Sequence, residues 1–259
     1  MCELLGLTSL QRINVNSYLS EFYSHSFRHC HGWGQALFQG TSVSVEKEAV
    51  CANQSLYLRQ RLAHPIAADN MIAHIRLASV GRMFYENCHP FSAQDSKGRA
   101  WVLAHNGTLF HEPDAQDFKS IQEGQTDSER ILCRLLRMVN LQQERQHRAL
   151  SATQRFSITE KLVKALSPSN KLNLLIWDGE SLYVHTNYRD TLYMCHLSPD
   201  TILFSTQPLQ AATGWEPVPF CQLLSFKQGH PVHQGSLKTT EYSDQNDGHE
   251  YKNIDFAGL

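Results

Sequence analysis

Residues 172–187 read LNLLIWDGESLYVHTN, and this stretch decides the fold class. Two apolar runs flank Asp178-Gly179, a pair that favours a tight hairpin because glycine accepts a positive φ. Working back toward the N-terminus, ITEKLVKAL (158–166) reads as a short helix behind a polar stretch, QQERQHRALSATQRFS (142–157). Before that, Ile131, Leu132, Leu135, Leu136 and Val139 recur at helical spacing with polar side chains between them, the pattern of an amphipathic helix. Earlier still the pattern is β: GWGQALFQGTSVSVE (32–46) reads as a hairpin turning at Gln39-Gly40, and MIAHIRLAS (71–79) as a strand. WVLAHNGTLF (101–110) reads as two strands around Asn106-Gly107. Working forward, TLYMCHL (191–197), TILFSTQ (201–207) and CQLLSF (221–226) are strand-like. Strands, then helices, then strands imply an α+β layered domain and not a βαβ repeat. The expected organisation is one domain over residues 2–235 followed by a polar, loosely held C-terminal tail, 236–259.

A chain of 259 residues, 41% hydrophobic, can bury a sizeable core. Its net charge of -2 makes no electrostatic case for nucleic acid or an anionic membrane surface. No apolar run approaches the roughly 18 residues of a membrane span, and no basic-then-apolar leader opens the chain, so a cytoplasmic location is expected. Seven scattered cysteines without a CxxC pair imply no disulfide framework. Neither GxGxxG nor GxxxxGK[ST] occurs, and no cofactor is expected.

Several residue types carry chemistry. Cys2, once Met1 is removed, would hold a thiol and a free α-amine in one residue, a nucleophile with its own general base. Arg76 interrupts an apolar strand, where its planar fork suits either an internal salt bridge or a bound carboxylate. Asn106-Gly107 reads as a type I′ turn or as an oxyanion hole built from the Asn106 amide and the Gly107 N–H. Thr126 and Glu129 form a capping box, and Asp127 between them could favour the helix dipole or receive an ammonium group. His25, His29, Cys30 and His31 lack a zinc spacing, so no metal is expected. Trp33, between two glycines, is a candidate pocket wall, and His89 in NCHPF a candidate orienting group.

Taken in order, Cys2, GWG (32–34), HIRLAS (74–79), NCHPF (87–91), HNG (105–107) and TDSE (126–129) resemble the class II glutamine amidotransferase domain. That domain is an N-terminal nucleophile hydrolase, and the resemblance is greatest to small stand-alone bacterial proteins that begin with the same MCELLG. FSTQPL (204–209) resembles a late strand of the same domain. The resemblance implies a four-layer αββα sandwich with two antiparallel sheets between helices. It implies that Cys2 attacks the γ-amide carbon of glutamine, with Asn106 and Gly107 holding the oxyanion. Arg76, helped by the backbone at Ala78 and Ser79, would hold the substrate α-carboxylate, and Asp127 the α-ammonium. A γ-glutamyl thioester on Cys2 would then be hydrolysed. Two positions depart from the family pattern: His31 stands where relatives commonly carry Asp before Gly-Trp-Gly, and Leu77 where many carry an aromatic residue.

Larger family members fuse this domain to a synthase, and no fused synthase is expected here. The expected activity is therefore release of ammonia or an amine from glutamine or a γ-glutamyl compound, ammonia passing to a separate synthase subunit. The alternatives are a hydrolase of glutathione-like γ-glutamyl peptides and a non-catalytic γ-glutamyl-binding regulatory subunit.

Overall fold

The computed structural model describes residues 2–78 and 80–243. In chain order the elements are β1 (Glu3–Asn14), α1 (Asn16–Ser24), β2 (Trp33–Gln39), β3 (Ser42–Glu48), α2 (Leu56–Leu62), β4 (Ala67–Ile75), β5 (Phe91–Gln94) and β6 (Ala100–Thr108). They continue as α3 (Ala115–Lys119), α4 (Asp127–Gln146), α5 (Ala152–Leu166), β7 (Lys171–Trp177), β8 (Leu182–Thr186) and β9 (Tyr193–Ser198). The last are β10 (Thr201–Ser205), β11 (Glu216–Pro217), β12 (Leu224–Lys227) and β13 (His230–Gln234).

Two antiparallel sheets result. One runs β11-β9-β10-β1-β4-β2-β3, the other β13-β12-β8-β7-β6-β5. Side-chain alternation along each strand assigns the layers. In β6, Val102 and Ala104 pack with Leu4, Ala36, Phe38 and Ile72 between the sheets. Trp101 and Leu103, on the opposite face, pack with Ile131, Leu135 and Val139 of α4 and Val163 of α5. In β1, Leu5 and Leu7 pack with Leu19 and Phe22 of α1 and Leu58 of α2. The molecule is thus an αββα sandwich, and each fully buried Leu, Ile or Phe contributes about 1.5–3 kcal/mol to holding its layers together.

The 172–187 hairpin forms with a loop at 178–181. Its turn is held by Asp178, whose Oδ1 accepts the N–H groups of Glu180 and Ser181 at 2.9 and 2.7 Å. The other oxygen accepts Arg155 Nε–H and Tyr183 O–H at 2.6 and 2.5 Å. This places a paired, buried charge under α5.

Four local expectations are corrected. WVLAHNGTLF is not two strands: β6 runs unbroken through Asn106 and Gly107, because β7 supplies ladder partners Asn173 and Leu172. The turn in 32–46 falls at Gly40-Thr41, since Gln39 pairs with Ser42. The polar stretch 142–157 is largely helical. α4 extends to Gln146 and stops at left-handed His147, and α5 starts early on a capping box between Ser151 and Gln154. The box expected at Thr126 is half formed: Thr126 accepts the Glu129 N–H at 3.2 Å, while the Glu129 carboxylate turns to the N–H groups of Glu123 and Gly124.

Residues 236–243 are tied down and not loose. Thr239 and Tyr242 donate to the carbonyls of Cys221 and Asn187 at 3.1 and 2.8 Å, Thr240 donates to Ser167 Oγ, and the Tyr242 side chain is buried. Residues 244–259 of the expected tail lie outside the described residues. Among the described residues no helix is long and apolar enough to cross a membrane.

Candidate active site

Cys2 precedes β1, a central strand whose Glu3 pairs with Ile75 at the end of β4. That register sets Cys2 beside the chain leaving β4. Its Sγ accepts the Leu77 N–H at 3.3 Å and lies 3.3 Å from the Leu77 carbonyl. Burial pushes the thiol above its ordinary pKa, and the Asp127 charge adds to this, while the Leu77 hydrogen bond and Arg76 work against it. A protonated resting thiol needs a base before it can attack.

Across the sandwich, the end of β6 brings Asn106 to the same place. Cys2 and Asn106 line one cavity of about 340 Å³. Asn106 is buried, and its Oδ1 has no hydrogen-bond partner among the described residues. Leaving such an acceptor unpaired costs about 1–3 kcal/mol, a defect more at home in a binding site than in a core. Gly107 follows it in the strand. A Cβ there would strike the Lys171 carbonyl and His105 Nε2, so close sheet pairing, and not a turn, demands the glycine.

Arg76 lies one residue past the end of β4 and not within the strand. Among the described residues it makes no ion pair. Its Nη1–H instead donates to the Arg82 carbonyl at 2.9 Å, and Nη2–H to the carbonyls of Val80 and Gly81 at 2.9 and 3.1 Å. The internal salt bridge is therefore absent, and neutral backbone acceptors fill the fork. The Ala78 N–H, expected to face a substrate, donates to His31 Nδ1 at 2.9 Å. His31 also donates its own N–H to the Arg76 carbonyl at 3.1 Å, while Arg76 N–H reaches Gly32 at 2.8 Å. The residue that departs from the family pattern thus stitches Gly-Trp-Gly to the segment after β4. Burial, with the positive charge of Arg76, lowers the His31 pKa and favours the neutral ring that Nδ1 acceptance requires. Ser79 lies outside the described residues.

Asp127 opens α4 and is buried, with Oδ2 accepting the Leu109 N–H at 2.7 Å and Oδ1 the Ser128 hydroxyl at 3.4 Å. Neither Arg76 nor Asp127 lines the cavity at Cys2, although both act on the thiol electrostatically.

Two candidate supports fall elsewhere. Trp33 is a core residue: its ring packs on Tyr23 and Tyr57 and its Nε1–H donates to Glu48 at 3.1 Å, away from the cavity. His89 is buried edge-on to His74, ring centroids 4.0 Å apart, and neither ring nitrogen has a hydrogen-bond partner among the described residues, so it orients no neighbour. Two histidines of 25–31 converge on one carboxylate. His25 Nδ1 and His29 Nε2 contact the two oxygens of Glu3 at 2.8 and 3.2 Å, and no metal-ligating cluster occurs among the described residues.

Sequence reasoning did not single out Glu3 and His29 as cavity residues, nor Asp190, Thr191 and Tyr193 from β9 and the turn before it. FSTQPL is strand only through Ser205, the end of β10, and Thr206, Gln207 and Pro208 beyond it line the cavity. The Thr206 hydroxyl accepts the Leu4 N–H at 3.1 Å, which fixes that segment to β1.

The family model for class II glutamine amidotransferases matches residues 1–201. An uncharacterized protein of Methanocaldococcus jannaschii is 32% identical over 189 residues, 73% of this chain and 52% of that protein. A candidate glutamine amidotransferase of Haemophilus influenzae is 30% identical over 188 residues, 71% of this chain and 63% of that one. The match therefore spans only about half to two thirds of these relatives' length. Among solved structures, a predicted glutamine amidotransferase from Pseudomonas aeruginosa superposes with a TM-score of 0.61 over 90% of this chain and all of its own, at 19% identity. The glutamine phosphoribosylpyrophosphate amidotransferase of B. subtilis superposes with a TM-score of 0.67 over 92% of this chain and half of its own, at 16% identity. The sandwich is accordingly the N-terminal nucleophile hydrolase fold, and the chain belongs to the class II glutamine amidotransferase family.

Proposed function

We propose that this protein is a glutaminase-type amide hydrolase that cleaves glutamine or a γ-glutamyl compound through a thioester on Cys2. The observation that carries the reading is the shared cavity of Cys2 and Asn106, a thiol and an amide brought from opposite sheets to one space. In this reading removal of Met1 frees the Cys2 α-amine, which takes the thiol proton as sulfur attacks the γ-carbonyl. The Asn106 amide and Gly107 N–H stabilise the tetrahedral oxyanion, an interaction worth about 10²- to 10³-fold in rate per donor. Arg76 and Asp127 bind the α-carboxylate and α-ammonium, the substrate carboxylate taking the place of the 80–82 carbonyls on the guanidinium. Collapse expels the nitrogen, which recovers the proton, and water then releases glutamate. Ammonia formed from glutamine passes to a separate synthase subunit.

The test is glutamate release from glutamine and a panel of γ-glutamyl amides, with Cys2→Ala as control. Turnover lost in the variant supports the reading. Unchanged turnover in Cys2→Ala rejects it, and inactivity of the wild type on the whole panel favours the regulatory-subunit alternative.

A further inference from the structure

The cavity beside Cys2 holds about 340 Å³, whereas ammonia is about the size of a water molecule, whose share of liquid volume is about 30 Å³. Cys2 and Asn106 stand at this cavity, but Arg76 and Asp127 do not line it. A γ-glutamyl group with its head at Arg76 and Asp127 and its γ-carbon at Cys2 leaves the cavity to whatever is attached to the γ-carbonyl.

The walls say what that group resembles. The Thr191 hydroxyl is bonded to Tyr188 and Asn173 and the Tyr193 hydroxyl donates to the Asp190 carbonyl at 3.0 Å, which leaves the Tyr193 oxygen as an acceptor beside the Gln207 amide. Asp190 makes no ion pair among the described residues, and its neighbour Arg189 is turned away to Glu241 at 2.8 Å. Glu3 is a carboxylate shared by two histidines, one of which, His29, is the basic side chain in the wall. No lysine or arginine is found among the described residues lining the space. Such a lining accepts hydrogen bonds from an amine and opposes a second carboxylate, for which the described residues supply only His29, already held by Glu3.

We infer that this cavity is a leaving-group pocket, and that the preferred substrates are γ-glutamyl amides of neutral or cationic amines larger than ammonia. Peptides whose leaving group carries a carboxylate are disfavoured. The inference rests on the Cys2 hydrolase reading. In the reaction the γ-carbon gains a bond to Cys2 sulfur and loses its bond to nitrogen. The amine departs with the thiol's proton, and water splits the thioester into glutamate and free thiol, so one amide and one water give one glutamate and one amine.

The test compares kcat/KM of the wild type on glutamine and on three matched γ-glutamyl amides, of propylamine, 1,3-diaminopropane and β-alanine. The propyl and aminopropyl amides are expected to exceed both glutamine and the β-alanine amide by about tenfold, the scale of discrimination a pocket of this kind supplies. Asp190→Lys, at an exposed position, is expected to shift the aminopropyl to β-alanine ratio about tenfold toward β-alanine, and Gln207→Lys provides a second variant should the first fail to fold. Preference for glutamine, a β-alanine amide cleaved as well as the others, or ratios unmoved by these lysines overturns the pocket while leaving the hydrolase intact. Cleavage of none of the four overturns the hydrolase reading and the pocket with it.

Discussion

Arg76 donates Nη1–H to the Arg82 carbonyl across 2.9 Å, so the segment following β4 folds back onto the guanidinium that its own sequence position presents. With Val80 and Gly81 also bound, the fork is occupied by three neutral acceptors. Neutral carbonyls satisfy an arginine's donors without neutralising its charge, which leaves the group well suited to exchange them for a carboxylate.

Arg76→Ala is therefore expected to raise KM for substrates with a free α-carboxylate by roughly 10- to 100-fold, the equivalent of a charge-assisted contact of about 1.5–3 kcal/mol. Arg76→Lys should recover only part of this, because an ammonium lacks the planar fork. Steady-state kinetics with a melting curve decides: an unchanged KM beside a lowered Tm would mean that Arg76 only clamps residues 80–82.

Intact mass should show active protein without Met1, and a diazo-ketone analogue of glutamine should add once, on Cys2. The alternatives are poor nucleophiles: Cys51, Cys88, Cys195 and Cys221 are buried, and burial raises Cys88 to about 11. Peptide mapping that placed the label on exposed Cys30, or active protein retaining Met1, would remove the α-amine mechanism.

Gly107→Ala forces a methyl group against the Lys171 carbonyl and His105 Nε2. Overpacking of this kind costs about 1–3 kcal/mol, and at this chain length each kcal/mol lowers Tm by roughly 2–4 °C. Differential scanning calorimetry should show that loss together with reduced turnover. A variant as stable and active as the wild type would show that β6 and β7 can separate at this point.

Acid should destabilise the fold early. Burial pushes His185 down to about 4, and His74 and His89 well below their ordinary value. Unfolded histidine binds its proton near pH 6.5, so the unfolded chain takes up protons first as pH falls. Stability is complete above about pH 6.5 and declines toward pH 4 by up to about 1.4 kcal/mol per pH unit for each such histidine. Urea midpoints measured from pH 7 to pH 5 should fall, and less steeply in His185→Leu. Parallel slopes in the two proteins would assign the acid sensitivity to other groups.

Much of this was legible in the chain itself. The 172–187 hairpin, the Thr126 helix start and the alternating strands follow from local patterns, because side-chain periodicity and turn chemistry act over a few residues. The ordered motifs from Cys2 to TDSE likewise pointed to the family. Where local preference and tertiary pairing conflicted, pairing prevailed: Asn106-Gly107 favours a turn in isolation, yet β7 binds both residues as strand.

The residue sequence determined which chemical groups are available and the order in which the strands and helices occur. Tertiary structure alone decided their neighbours. The cavity draws on residues 2–3, 29, 106, 190, 191, 193 and 206–208, segments joined only when β1 pairs with β4 and β10 and the second sheet closes over them. The partners of Arg76 were equally invisible, since backbone carbonyls carry no residue-specific signature and are placed on a guanidinium by chain geometry. Long-range register, fixed by burying the apolar faces of two sheets against each other, brought Cys2 and Asn106 from separate motifs to one cavity.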